Sequence, residues 1–502
     1  MTITSISYLA FVVAALVCYY MIPRKWQWMG LLFFSIVFYC LVAVPYTFVY
    51  LLISTAMAWI VTNGLARSQE KKDGYDIPVL WKALIWATIL VDIGLWFLLK
   101  GTSFVRIVDW VAALGMGYYT LQIIGYTIDC YWGTVKAQKN PLKLLLFTSF
   151  FPQMITGPIS RYRDLEHIYE GQHFSYSNLA HGAQRILWGF FKKLVIAERV
   201  GGMVDVIWAS PNEYSGLFTW MALFLYPIQM YTDFSGCMDI VIGTAEMFGI
   251  QLAENFRNPF LALTSQEFWQ RWHITLGTWA KDYVLYPLLK SKTFIKINKF
   301  FKAKGHKKAG KILTTSLGML ALWLVMGFWH GAFKYIVGVS LWYWVVLMLE
   351  EYSSPFFSRL YAKMGCDTNS FGFKFLQRIK TYFVYAIGAT FFRANGVREG
   401  IQFMGRLIKT FSTDCWNPWI LFDGSILNWA ATGKNLNLIV FGVLALVIVA
   451  ILRERYGYAR IWLDKQPLVF RWLVYIMFFF LVILFGRYGR GFQAAEFIYG
   501  GF

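Results

Sequence analysis

The stretch "ILTTSLGMLALWLVMGFWHG" (312–331) decides how the chain is read. Its first eighteen residues carry no charge, and it closes on a histidine and a glycine. Wound as a helix, such a run nearly spans the roughly 30 Å hydrocarbon core of a bilayer. An imidazole facing lipid would lose its hydrogen bonds with water, so His330 packs against protein or faces a wet cavity. Gly331 lets backbone or substrate approach closely. An unperturbed imidazole titrates near pH ~6.5, and can take a proton from a hydroxyl and return it to a leaving group. From these residues alone, the catalytic and structural readings of His330 both stand.

The rest of the composition supports a membrane protein. Of 502 residues, 58% are hydrophobic, 20% aromatic and only 15% charged; a soluble chain carries about 25% charged residues. Runs such as 6–22, 31–44 and 437–452 approach the ~20 residues needed to span. Counting them predicts an all-α polytopic protein with roughly ten to twelve spans. The expected organisation is a single integral-membrane domain over 1–502, with N-terminal spans at 1–140, a core with re-entrant elements at 141–350 and C-terminal spans at 351–502. No Lys or Arg precedes the first run, and Arg24 and Lys25 follow it, so it does not read as a good cleavable signal. That placement predicts an outside N-terminus, with residue 24 in the cytoplasm.

Much of the net charge of +20 sits in "KSKTFIKINKFFKAKGHKKAGK" (290–311), which holds many lysines and no acid. In an apolar chain this marks a cytoplasmic loop facing anionic membrane lipids, not a nucleic-acid site. Six scattered cysteines (18, 40, 130, 237, 366 and 415) form neither a disulfide framework nor a metal pattern. No glycine-rich phosphate loop appears.

Along the chain, spans are expected in three runs within 1–66, then at 80–100, 110–128, 183–198, 216–236, 312–329, 332–349, 377–393, 436–452 and 468–485. A polar linker is expected at 67–78 and an amphipathic, interfacial segment at 398–412. The segment "PLKLLLFTSFFPQMITGPISRYRDL" (141–165) is too short to span, and Pro152, Gly157 and Pro158 break any helix. It reads as re-entrant or interfacial.

Polar groups concentrate between 151 and 330. In "QMYTDFSGCMDIVIG" (229–243), Asp233 and Asp239 pair with nearby cations, cap a broken helix, or line a polar substrate path. In "ENFRNPF" (254–260), Asn255, Arg257 and Asn258 orient a substrate group or form a well-bonded loop. Residues 266–289 read as one long mixed helix, with Thr264 or Ser265 as N-cap and Glu267 in the first turn. At 100° per residue, Phe268, Trp269, Trp272, Leu276, Trp279, Tyr283 and Tyr286 share a stripe, and His273 sits at its edge. Taken alone, His273 is a satisfied buried histidine or a catalytic one. The other histidines (167, 173, 181 and 306) lie in polar loops or near their ends.

Together, "FPQMITGPISRYRDL" (151–165), "YTDFSGCMDIVIG" (231–243), "ENFRNPF" (254–260), "EFWQRWHITLGTWAKDYVLYPL" (267–288), "GFWHGAFKYIVG" (327–338) and the closing "EFIYGGF" (496–502) resemble the membrane-bound O-acyltransferase family, most closely its bacterial alginate O-acetyltransferase branch. The resemblance implies membrane helices and re-entrant elements around a central funnel or tunnel. It implies His330 as the catalytic residue and His273 as a second site residue. Asp233, Asp239, Asn255, Arg271, Trp329 and Arg163 fall within matched motifs, as lining or structure. No bound cofactor or metal is implied. The substrates would be a cytoplasmic acyl thioester (acetyl-CoA or an acyl carrier) and an exported or cell-wall polysaccharide. A second, extracellular SGNH-type acyltransferase would be the partner, in a bacterial inner or plasma membrane. Two departures stand out: the family's "PLGGNR" is here "PLLKSK" (287–292), and Cys237 replaces the tyrosine of "FSGYSDMAIG". Rival readings are D-alanyl transfer to teichoic acid, a polysaccharide or lipid transporter, and a non-catalytic scaffold.

Overall fold

The computed structural model describes residues 1–70, 77–99, 114–211, 214, 216–412 and 433–488. Residues 71–76 of the expected 67–78 linker, the start of the 110–128 run, Cys415 and the 496–502 segment lie outside the described residues. Among the described residues the chain is helical, with one isolated antiparallel bridge, Phe256 to Trp272, and no strand. An apolar chain in lipid must satisfy its backbone internally, which a helix does within one segment.

Seven helical stretches among these residues are long and apolar enough to cross a membrane: Arg24–Val42, Pro45–Gln69, Val79–Leu98, Lys307–Trp329, Phe333–Lys363, Leu436–Tyr456 and Leu468–Phe485. The expectation of ten to twelve also counted helices that are short or charged. Ile6–Met21 and Met116–Tyr131 have 16 residues each. Phe371–Arg393 carries Lys374, Arg378 and Lys380. The run expected at 183–198 belongs to a longer helical course: Tyr176–Phe190, a widened π-helical turn at Phe191–Ala197, and Glu198–Ala209.

Two other expectations are corrected. The helix expected to end near 236 runs unbroken from Leu217 to Met247, so neither Asp233 nor Asp239 caps a broken helix. The lysine-rich segment is not a loop. Ser291 caps a helix at Lys292–Ala303, its hydroxyl accepting the Phe294 N–H. Phe294, Ile297 and Phe301 turn inward at i, i+3 and i+7, while the lysines stay exposed.

The chain folds into two compact units. One comprises residues 1–189 and 237–254. Its core is aromatic: Phe151 meets Phe11 at 5.4 Å and Phe248 at 5.7 Å. The 141–165 segment forms a short helix, Pro141–Ser149, capped by Asn140, and a 3-10 turn, Phe151–Gln153. Its freed backbone finds partners on a neighbouring helix, as where Phe151 N–H donates to Ser35 Oγ at 3.1 Å. Gly182 and Gly243 let two helices touch backbone to backbone, since a Cβ on either would strike the other's carbonyl.

The second unit comprises residues 190–236 and, among the described residues, 255–488. Phe268, Trp269, Trp323, Tyr343 and Tyr385 cluster at its centre, with Phe268 tilted against Tyr385 at 4.3 Å and Trp269 edge-on to Tyr343 at 4.5 Å. Its helices Leu436–Tyr456 and Leu468–Phe485 expose Leu444, Ile448, Val469 and Leu473, an apolar surface of the kind a bilayer covers.

Candidate active site

The site is built on a break that periodicity does not announce. The long helix expected at 266–289 stops at Arg271, and Trp272 is extended. His273 takes left-handed backbone (φ 46°), and a new helix starts at Ile274. The start at Ser265 is as expected, with Thr264 Oγ1 accepting the Glu267 N–H at 3.1 Å. The break is held from outside. Arg257 N–H donates to Arg271 O at 2.9 Å, and Ile274 N–H donates to Asn255 O at 3.0 Å. The polar turn 254–260 is thus stitched to the histidine motif through its main chain.

Asn255, fully buried, completes the stitch. Its Oδ1 accepts the Thr275 N–H at 3.1 Å and the Thr275 hydroxyl at 3.0 Å, and lies 3.1 Å from His273 Nδ1. A backbone N–H can only donate, so it identifies that atom as the amide oxygen. His273 Nδ1 must therefore carry the proton, which leaves Nε2 as the acceptor nitrogen of the neutral ring. Burial pushes the His273 pKa down to about 3, so the imidazole is neutral at physiological pH.

His330 is the C-cap of the helix Lys307–Trp329. The chain leaves that helix through Gly331 at φ 91°, a conformation that a Cβ disfavours. His330 is buried in an aromatic cage: Trp329 at 4.9 Å, Phe392 at 5.1 Å and Tyr335 at 5.3 Å between ring centroids. Trp329 also meets His273 at 5.8 Å, so one indole touches both imidazoles. Phe234 packs edge-on against His273 at 4.9 Å.

Beside Phe234 lies a buried ionic group. Lys193 pairs with Asp233 and, at 2.8 Å, with Glu198. Lys192 donates to Ser235 Oγ at 2.8 Å and lies 5.7 Å from the Tyr231 ring centroid. The two adjacent lysines sit in the widened turn at Phe191–Ala197, and both reach the helix Leu217–Met247. Wide turns of this kind are rare and recur at functional sites.

The structure thus gathers His273, Asn255, Trp329 and His330 in one unit, with Asp233 one residue from Phe234. It assigns Asp239, Arg271 and Arg163 elsewhere. Asp239 accepts from Arg185 Nε at 2.9 Å, and Glu254 takes both guanidinium ends of Arg185 at 2.7 and 2.8 Å. Arg271 pairs with Glu267 and Glu454, each at 2.7 Å, and so fastens the helix Gly433–Tyr456 to the short helix Ser265–Arg271. Arg163 is exposed, 3.7 Å from Asp164. Among the described residues, no three His, Cys, Asp or Glu side chains group closely enough to hold a metal ion.

Sequence reasoning missed Lys192, Lys193 and Glu198, which were absorbed into an apolar run. Two adjacent lysines inside "GFFKKLVIAE" (189–198) were the available signal. It also missed Tyr335 and Phe392. The second lies far along the chain, and nothing local links it to His330.

Comparison with known proteins places the chain. The profile of the MBOAT, membrane-bound O-acyltransferase, family matches residues 136–387, half of the chain. The chain belongs to this family. It is 30% identical over 304 residues to the probable alginate O-acetylase AlgI of Pseudomonas syringae pv. tomato, covering 60% of this chain and 52% of that protein. It is 32% identical over 249 residues to the peptidoglycan O-acetyltransferase of Helicobacter pylori, covering 44% of each. It is 26% identical over 245 residues to the teichoic acid D-alanyltransferase of Streptococcus thermophilus, covering 47% of this chain and 56% of that one. The chain therefore spans about half the length of these relatives.

Proposed function

We propose that the protein is a multi-pass membrane O-acyltransferase that moves an acetyl group from a cytoplasmic thioester, acetyl-CoA or an acyl carrier, toward hydroxyls of an exported or cell-wall polysaccharide. The observation that carries this reading is the meeting of separate motifs: Trp329 is in ring contact with both His330 and the Asn255-bound His273. All four residues lie within the matched family region.

On this reading His330 accepts the proton of the attacking hydroxyl, whose oxygen bonds to the thioester carbonyl carbon. The C–S bond then breaks, and the imidazolium returns its proton to the leaving thiolate. His273 has a different part. With Nδ1–H committed to Asn255, its Nε2 accepts and does not donate, so it orients a proton-bearing group and is not a donor to an oxyanion. The Lys193–Asp233–Glu198 group fixes the helix that carries Phe234. Completion at the cell surface would fall to a second, extracellular SGNH-type acyltransferase. Similarity to a D-alanyltransferase supports D-alanyl transfer to teichoic acid as the second reading.

The test is ester-linked acetate on the surface polysaccharide of a deletion strain carrying wild-type or His330→Ala protein at matched membrane levels. Acetate restored by wild type alone supports the reading. Equal restoration by His330→Ala removes the histidine's role. Acetate independent of the protein, with D-alanyl esters dependent on it, moves the assignment to the second reading.

A further inference from the structure

The cage around His330 is closed by a lysine. Lys334, four positions on, donates from Nζ to the Phe392 carbonyl at 3.1 Å and to the Ala394 carbonyl at 2.6 Å. The same ammonium lies 5.0 Å from the Tyr335 ring centroid. Phe392 and Ala394 form the corner where the helix Phe371–Arg393 ends, and the last carbonyls of a helix lack partners within it. A cation there satisfies them and suits the negative end of the helix dipole.

That corner is gripped on either side as well. Arg393 bonds Asp205 at 2.9 Å, and Asn395 N–H donates to Glu399 at 2.6 Å. These two hold the residue between the two carbonyls and the residue just after them. Lys334 joins the corner by hydrogen bonds to the segment that carries His330. Phe392 in turn meets both His330, at 5.1 Å, and Tyr335, at 4.8 Å.

We infer that Lys334 is a positioning residue for His330: by clamping the 392–394 carbonyls it holds Phe392 against the imidazole and keeps the cage of Trp329, Tyr335 and Phe392 shut on it. A main-chain clamp of this kind needs two donors in fixed places, which an ammonium and a guanidinium both supply and a thioether does not. The inference rests on the proposed role of His330 for its effect on activity, and on geometry alone for its effect on the cage.

Two measurements separate these. In inverted membrane vesicles supplied with radiolabelled acetyl-CoA, Lys334→Met lowers the maximal rate of label transfer about 10- to 100-fold while the half-saturating acetyl-CoA concentration stays in place, and Lys334→Arg restores most of the rate. In the purified protein, diethyl pyrocarbonate modifies His330 severalfold faster in Lys334→Met than in wild type or Lys334→Arg, read by peptide mass spectrometry. A Lys334→Met protein with wild-type transfer and wild-type His330 modification overturns the inference. So does a Lys334→Arg protein that behaves like Lys334→Met in both. Full transfer by His330→Ala would instead sink the functional reading, and the modification rates would still decide the clamp.

Discussion

His273 and His330 touch the same indole, yet they are held in opposite ways. His273 is fixed by hydrogen bonds: its Nδ1 is bonded to Asn255, and the main chain on either side is stitched to residues 255–257. His330 is held by rings and by the end of a helix. A bonded, neutral imidazole has one tautomer and one orientation. A caged imidazole has its plane held by ring contact. The pairing suggests a division of labour, in which one histidine aligns and the other transfers the proton.

The largest effect that would sharpen this contrast is on turnover. His330→Gln is expected to lose about 10²- to 10⁴-fold in acyl transfer, as for a deleted general acid–base, and His273→Gln much less. A greater loss at 273, measured side by side in membranes at equal protein, would reverse the assignment. Next comes the ionic group. Lys193→Met leaves Asp233 and Glu198 buried without their cation, and is expected to cost about 3–5 kcal/mol. Thermal unfolding in detergent would register that as a large fall in Tm, whereas Asp233→Asn combined with Lys193→Met should recover part of it.

A smaller effect concerns acid. The folded His273 pKa is near 3 and the unfolded one near its ordinary ~6.5, so the unfolded state binds the extra proton between these values. Stability is then full above pH ~6.5 and falls as the pH drops toward 3. His273→Gln should flatten that part of the Tm-against-pH curve, and an unchanged slope would place the titrating group elsewhere. At the bottom of the scale, Arg163→Ala is expected to shift stability by no more than about 0.5 kcal/mol and leave transfer unchanged. Its side chain is exposed and pairs only loosely with Asp164.

The elements legible in the sequence were those set by local chemistry. The apolar runs at 312–329 and 468–485 and the Thr264 cap emerge as read. The break at His273 was not legible, because the aromatic spacing on either side fits one helix and the force that breaks it comes from Asn255. The helix at Lys292–Ala303 was present in the spacing of Phe294, Ile297 and Phe301 but was outweighed by the density of lysines. The acids at 233 and 239 were recognised as needing partners. Their separation into a lysine group and an arginine brace depended on residues some 40 to 55 positions away.

The left-handed backbone at His273 also bears on how the position should be probed. A residue with a Cβ is strained there, and glycine is not. Alanine would remove the ring and keep the strain, so its phenotype would mix two causes. Glycine would remove the ring and relieve the strain, and asparagine would keep a polar group on a backbone it tolerates well. The three replacements together separate what the imidazole does from what the bend demands.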